Sequence, residues 1–274
     1  MNIVWAALII AAATAVAVAA MLAVRRGAPE GGYFTDSDRA AGIFGVLATG
    51  FSVLLGFLIF LAFASYDASR SGAETEALTV AQQIQTAQFL PADVGGELTG
   101  ELVCYARSVI HGEWDRMENG TLGEDINPWG VAMFGTLQQV ELTSPQQEAA
   151  YSKWLDQTSD REAARQDRIH GAAGLIPVPL WIGLFFISAI VFAFLFGFAD
   201  SGDRVWVQAM FMGSVVAVIT TMLLLLHFLD DPYHGGLGGL QPTAMERTEQ
   251  LIDQQLAAIG STVTIPCDIN GVAA

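Results

Sequence analysis

Residues 54–77, LLGFLIFLAFASYDASRSGAETEA, join two different kinds of helical sequence. The first half of this stretch is apolar, whereas its second half is rich in small, polar and charged residues. The stretch contains no proline, and Gly72 is the only glycine in its polar half. With so few helix-breaking residues, the sequence predicts one helix that crosses a membrane and continues into water.

The composition of the whole chain supports a membrane protein. The chain has 274 residues, of which 53% are hydrophobic and 15% are charged, whereas soluble domains usually carry about 25% charged residues. Its formal net charge is −16, which excludes nucleic acid as a partner because phosphate binding needs a basic surface. Membrane lipid is the expected surrounding of the apolar segments.

Four segments are long and apolar enough to span a bilayer, whose core needs about 20 helical residues. None contains Asp, Glu, Lys or Arg; they comprise residues 3–24, 40–66, 175–199 and 205–229. The first lacks the positive leading region of a secretory signal and is predicted to be an uncleaved anchor.

The sequence between the second and third spans predicts a helical soluble insert. Apolar residues recur there at spacings of three and four, and no segment alternates as a strand would. The second span is expected to continue through an apolar stripe that packs on the insert; the stripe comprises Ala77, Leu78, Ala81, Ile84 and Phe89. Ser144, followed by Pro145, marks the start of a later helix. A short amphipathic helix is predicted in the tail, at residues 243–259.

The predicted fold class is therefore an all-α integral membrane protein with four transmembrane helices and a helical soluble insert between the second and third spans. The chain divides into residues 1–66 with the first two spans, 67–174 with the insert, 175–229 with the last two spans, and 230–274 with the tail.

The distribution of arginines bears on the orientation in the membrane. The two short loops carry Arg25, Arg26, Arg39 and Arg204, and short loops rich in Arg and Lys stay in the cytoplasm. This favours an extracytoplasmic insert. Three further arginines flank the third span on the insert side and argue for a cytoplasmic insert; they are Arg161, Arg165 and Arg168. Cys104 and Cys267 lie on one side of the membrane and could form a disulfide if that side is oxidising.

Motifs for catalysis or cofactor binding are missing from the sequence. It contains no phosphate-binding loop, no HExxH and no GxSxG, and its four histidines are scattered. We therefore expect no enzyme, no catalytic residue, no metal site and no cofactor. The spans also lack the ionisable residues that are typical of proton pumps and voltage sensors, but a pore with an apolar constriction remains compatible with them.

The second span offers candidates for such a constriction. Leu55, Ile59 and Phe63 lie at positions i, i+4 and i+8 and would form three apolar rings around the axis of a homo-oligomer. Ordinary helix packing or lipid contact explains the same spacing. Four glycines in this span indicate close helix contacts; they are Gly42, Gly45, Gly50 and Gly56.

Short motifs follow one another along the chain in a distinctive order: Leu55-Gly56-Phe57, Glu76-Ala77-Leu78, Glu113-Trp114, Pro179-Leu180-Trp181 and Asp231-Pro232. With four spans, this order resembles the bestrophin-like domain family of bacterial membrane proteins, formerly a domain of unknown function. The motif residues that carry the resemblance are Gly56, Phe57, Glu76, Glu113, Trp114, Pro179, Trp181, Asp231 and Pro232.

The resemblance implies a multi-pass protein of the bacterial plasma membrane and, more distantly, kinship with bestrophins, which are oligomeric chloride channels. Leu55, Ile59 and Phe63 match the spacing of the apolar neck rings of bestrophins. Bestrophins keep their soluble part in the cytoplasm, against the arginine distribution found here. Asp230 and Asp231 resemble an acidic turn near the calcium-sensing residues of animal members, but two carboxylates are too few for a calcium site.

Two functions are therefore expected. The first is an oligomeric anion channel for chloride or another anion. The alternative is a non-conducting membrane scaffold or sensor whose soluble helical domain binds a partner or ligand. It predicts an apolar or aromatic patch on the insert, around Trp114, Trp129 and Trp154.

Overall fold

The computed structural model describes residues 3–121, 126–259 and 263–274, and these residues are predominantly helical. The helices are α1 Ile3–Arg25, α2 Ser37–Ala87, α3 Ala92–Ser108, α4 Trp114–Glu118, α5 Pro128–Gln138, α6 Pro145–His170, α7 Val178–Gly197, α8 Val205–Asp230 and α9 Thr243–Ile259. A π-helical turn, Val109–Glu113, joins α3 to α4. Within the described ranges no strand occurs beyond an isolated bridge between Cys267 and Ala273, so the all-α prediction is confirmed.

Four helices are long and apolar enough to cross a membrane: α1, α2, α7 and α8. Helix α2 has 51 residues, which corresponds to a length of roughly 75 Å at 1.5 Å per residue. A bilayer core is only about 30 Å thick. The apolar first part of α2 therefore suffices to span a membrane, and the helix continues without a break through Gly72, as the sequence predicted.

The chain divides into two compact units. The membrane unit comprises the described residues up to Ala64, Leu175–Asp230 and Gly236–Gly238, and the bundle unit comprises Ser65–Gly174, Asp231–Gly235 and the described residues from Gly239 onward.

In the membrane unit, α1 packs closely against α8. Met21 of α1 is buried together with Met212 and Val216 of α8. A methyl group added at Gly213 would lie 3.4 Å from the Cγ2 atom of Thr14, so a small residue at this point lets the two helices approach.

In the bundle unit, one apolar core joins α2, α3, α5, α6 and the C-terminal segment. Ala77 and Ile84 of the expected α2 stripe are buried, but Leu78 and Phe89 are exposed. Within α2 the buried face runs through Glu76, Val80 and Ile84, which leaves Leu78 outside it, whereas Phe89 lies beyond the end of the helix at Ala87.

Gly72 permits a close approach of α2 and α6. A Cβ atom built there would lie 2.6 Å from the backbone nitrogen of Arg168 and 2.7 Å from the carbonyl oxygen of Ala164. Any side chain would force the two helices apart, because neither contact is with a movable side chain. The glycine is thus a packing requirement within a continuous helix.

The C-terminal segment is fastened to α3 by a disulfide. Cys104 and Cys267 are bonded across a sequence separation of 163 residues, with their Cα atoms 5.8 Å apart. Nearby, Trp129 Nε1 donates a hydrogen bond of 2.7 Å to the carbonyl oxygen of Gly271. Gly271 has a φ of 75°, which favours glycine, and its Cα faces the backbone of Ser108.

Candidate functional site

The most polar part of the bundle core is a group of ion pairs centred on Arg168. This side chain is completely buried and binds Glu76 through two nitrogens, Nε to Oε2 and Nη2 to Oε1, the latter at 3.0 Å. Its Nη2 also donates to Oε2 of Glu113 at 2.5 Å. Arg168 therefore joins a carboxylate of α2 to one at the end of the π-helical turn.

A second arginine completes the group. Arg165 Nη2 lies 2.9 Å from Oε1 of Glu113, and Asn127 Nδ2 donates to the same oxygen at 2.9 Å. The hydroxyl of Tyr105 donates to Oε1 of Glu76. We call these residues the ionic cluster, defined as Glu76, Tyr105, Glu113, Asn127, Arg165 and Arg168.

The electrostatics of the ionic cluster are balanced, with two carboxylates and two guanidinium groups. Burial opposes ionisation of Glu113, but Arg168 and Arg165 outweigh it and hold the pKa of Glu113 below its usual range. Burial likewise opposes the charge of Arg168, yet Glu76 and Glu113 raise its pKa above the ordinary value. Glu113, Arg165 and Arg168 are therefore charged at neutral pH.

The π-helical turn explains how two consecutive residues, Glu113 and Trp114, both become buried. A π-helical turn accommodates an extra residue and shifts the face that the following helix presents. Glu113 then reaches the ionic cluster, while Trp114 Nε1 donates to the carbonyl oxygen of Leu240 at 3.2 Å. The Trp114 ring lies edge-on to Tyr233, with centroids 5.4 Å apart, and the Tyr233 hydroxyl donates to the carbonyl oxygen of Arg168.

The structure brings together only part of the motif residues. Glu76, Glu113 and Trp114 meet in or beside the ionic cluster, and Tyr233, which follows the buried Pro232, caps it; Asp231 is exposed. The others belong to the membrane unit: Gly56, Phe57, Pro179 and Trp181.

In the membrane unit, Asp230 acts as a hydrogen-bond acceptor. Its Oδ1 accepts from the backbone nitrogens of Leu175 and Ile176 at 2.7 and 2.8 Å, and Oδ2 lies 3.4 Å from Trp181 Nε1. It thereby fixes the turn that precedes α7. Among the residues that the structure describes, no three His, Cys, Asp or Glu side chains are grouped as metal ligands.

The three candidates for a constriction differ in exposure. Leu55 is 1% exposed and packs within its own chain, Ile59 is half-buried, and Phe63 is 52% exposed. Within one chain, Phe63 presents the largest free apolar surface of the three.

Two expectations drawn from the sequence differ from the structure of the site. Arg165 and Arg168 were interpreted only as charges that flank a span, because nothing in their spacing reveals partners on α2 and the π-helical turn. The scaffold alternative also expected a surface patch around Trp114, Trp129 and Trp154, and this location was wrong because all three side chains are buried.

Four long apolar helices and an all-α core organised by buried ion pairs define an α-helical membrane protein. A family model described as the Bestrophin-like domain matches residues 11–244. The chain therefore belongs to the bestrophin-like domain family.

Solved structures share the fold of this chain. The fold is similar to that of a bacterial bestrophin homologue from Klebsiella pneumoniae, with a TM-score of 0.68, 14% identity, and coverage of 95% of this chain and 100% of that chain. A variant of the same homologue has a TM-score of 0.66 and 15% identity, with coverage of 93% of this chain and 99% of that chain. A crystal structure described as a membrane protein has a TM-score of 0.67 and 13% identity, with coverage of 92% of this chain and 99% of that chain. At such identities the likeness shows the fold. Among curated proteins, no match was found.

Proposed function

We propose that the protein is a homo-oligomeric anion channel that passes chloride or a similar anion, with its constriction on α2. The observation that carries the proposal is the 52% exposure of Phe63 in the span where kinship with bestrophins expects an apolar neck. Ile59 lies one turn before it on the same side of the helix. In an oligomer, two apolar rings at these positions would gate by excluding water, while Leu55 anchors α2 to its own subunit.

The glycines of α2 support association between copies. A Cβ atom built at Gly42, Gly45, Gly50 or Gly56 meets no atom of the described chain within 4 Å. These positions therefore do not serve contacts within the described part of the subunit. Small residues on a membrane helix let a second helix approach closely, so this surface suits the contact of α2 with another copy.

Chloride flux from proteoliposomes tests the channel. Wild-type protein should release trapped chloride, and Phe63→Ala should release it faster because the ring becomes wider. Phe57→Ala is the matched control, since Phe57 is similarly exposed at 58% but lies about 120° away around the helix. It should leave the flux unchanged. Absence of chloride release from wild-type and Phe63→Ala protein would contradict the proposal.

We also propose that the bundle unit lies on the extracytoplasmic side. Disulfides persist in oxidising compartments, and the Cys104–Cys267 bond belongs to this unit. The arginines of the two short loops favour the same orientation. The contrary arginines have a different explanation, because Arg161, Arg165 and Arg168 are all buried in the bundle unit.

Labelling of intact bacteria with a membrane-impermeant maleimide tests the orientation. Glu148→Cys places a thiol at an exposed position of α6, and Glu30→Cys places one in the first short loop. The first variant should react in intact cells and the second only after permeabilisation. The reverse pattern would place the bundle unit in the cytoplasm.

A further inference from the structure

An acidic groove lies in the bundle unit, apart from the ionic cluster. It has a volume of about 510 Å³, and its lining includes Asp93, Glu97 and Glu101 of α3, Trp129 of α5, and Thr264 and Pro266 of the C-terminal segment. The three carboxylates occupy positions i, i+4 and i+8 and therefore form one row along the helix. None of the described residues that line the groove carries a positive charge.

The innermost carboxylate of this row is incompletely paired. Glu101 is only 6% exposed; its Oε1 accepts a hydrogen bond of 3.1 Å from Thr136, but Oε2 is buried without a partner. An unsatisfied buried acceptor costs about 1–3 kcal/mol. Burial, partly opposed by Thr136 and increased by Glu97, raises the pKa of Glu101 to about 7. A positively charged donor would satisfy the free oxygen.

We propose that the acidic groove binds a linear alkylamine with at least two ammonium groups, one at Glu101 and the next at Glu97. The rise of an α-helix places successive carboxylates of the row roughly 6 Å apart, a distance that a chain of three or four methylenes between two amines can span. Each ammonium group donates charge-assisted hydrogen bonds to a carboxylate, and the methylenes lie against Trp129 and Pro266.

The arrangement suits an amine better than a metal ion. Calcium requires six to eight oxygen ligands around one point, whereas these carboxylates are spread along the helix, and no group of three metal-ligating side chains occurs among the described residues. One wall of the groove is formed by Thr264 and Pro266, which directly precede Cys267. The disulfide between Cys267 and Cys104 therefore holds this wall against α3.

Isothermal titration calorimetry of the full-length protein with spermidine tests this proposal. The protein is held in phosphatidylcholine nanodiscs at pH 8 and moderate salt, so that the lipid carries no net charge. We expect one saturable site per chain. Glu101→Gln, which retains an acceptor for Thr136, should weaken binding by about tenfold or more, whereas Glu74→Gln, an exposed control on α2 outside the groove, should not.

Two further measurements keep the test decisive. Glu97→Gln alters an exposed side chain, so folding is not at risk, and it should weaken binding several-fold. Lowering the pH from 8 to 6 should weaken binding to wild-type protein, because Glu101, whose pKa is raised to about 7, becomes protonated. Unsaturable heats, an unchanged affinity in Glu101→Gln, or binding of calcium chloride at this site in place of spermidine would overturn the proposal. The outcome is independent of whether the protein conducts anions.

Discussion

Arg168 and Glu76 form a fully buried, two-nitrogen ion pair although 92 residues separate them in the sequence. Glu76 lies on the helix that begins as the second membrane span, and Arg168 lies near the end of α6. Each alternative register of α2 against α6 would leave a charge buried without its partner. The ion pair therefore specifies how these helices pack, even though a buried pair adds little net stability compared with apolar residues.

Removal of Arg168 should severely destabilise the bundle unit. Arg168→Met leaves Glu76 and part of Glu113 without compensation, and breaking a buried pair in this way costs about 3–5 kcal/mol. Guanidinium unfolding of the detergent-solubilised protein measures the change. The control is Arg70→Met, because Arg70 pairs with Glu74 at an exposed i, i+4 site; it should cost less than about 0.5 kcal/mol. Equal effects of the two substitutions would show that the ionic cluster does not organise the core.

Glu101 should make the stability depend on pH in a defined window. Because its pKa is raised from 4.5 to about 7 in the folded protein, its contribution is fully present below pH 4.5 and is lost as the pH rises through 7. Glu101→Gln should therefore be more stable than wild type at pH 8, by about 1–3 kcal/mol, and similar to it near pH 4.5. Thermal unfolding at both pH values measures this.

If wild-type protein were more stable than Glu101→Gln at pH 8, the raised pKa of Glu101 would be contradicted. Glu113 does not interfere with this window, since its pKa lies below the usual range. Its contribution is present above the unfolded value and is lost only as the pH falls through the lower, folded value.

Gly72→Ala should destabilise the protein, whereas another glycine in the bundle unit should tolerate the same change. The added methyl group would collide with the backbone of Arg168 and Ala164, and such overpacking costs about 1–3 kcal/mol. Gly96, inside α3, has nothing within 4 Å of its added Cβ, so Gly96→Ala should stabilise by about 0.5–1 kcal/mol. Denaturant midpoints of the two variants, measured side by side, should move in opposite directions. A midpoint of Gly72→Ala at or above that of wild type would rule out the close helix contact.

Loss of the disulfide should loosen the C-terminal segment. Cys267→Ser removes the disulfide to Cys104, which joins residues 163 positions apart in the sequence. Removal of a disulfide typically lowers the free energy of unfolding by about 2–4 kcal/mol. Hydrogen exchange should show the loss of protection concentrated at residues 263–274 and in α3, with α7 as an internal control. Equal exchange rates at residues 263–274 in wild-type protein and in Cys267→Ser would mean that the disulfide does not hold this segment in place.

The sequence predicted the parts of the fold that depend on local signals. Four uncharged segments gave the spans, and the absence of proline between residues 54 and 77 gave the continuous α2. Periodicity was less informative about the direction that each helix faces. Leu78 was expected in the core but is exposed, because the buried face of α2 depends on where α3 and α6 lie, and Phe89 is exposed because α2 ends before it, at Ala87.

The ionic cluster was beyond prediction from one sequence for a different reason. Arginines near a span end have the same appearance whether they face lipid headgroups or buried carboxylates, and only the tertiary contacts distinguish Arg165 and Arg168 from membrane-flanking charges. The motif residues Glu76 and Glu113 could be identified by resemblance, but their shared partner could not. The π-helical turn that buries Glu113 likewise has no simple sequence signal.

Chemical modification during bilayer recording is a direct test for an anion pore that is constricted at Phe63. The two native cysteines are joined in a disulfide, so a thiol reagent will report on an introduced cysteine alone. A methanethiosulfonate reagent should reduce the chloride current of Phe63→Cys and leave that of Phe57→Cys unchanged. A chloride current that persists undiminished after Phe63→Cys has been fully modified, or no chloride current at all, would rule out an anion pore constricted at Phe63.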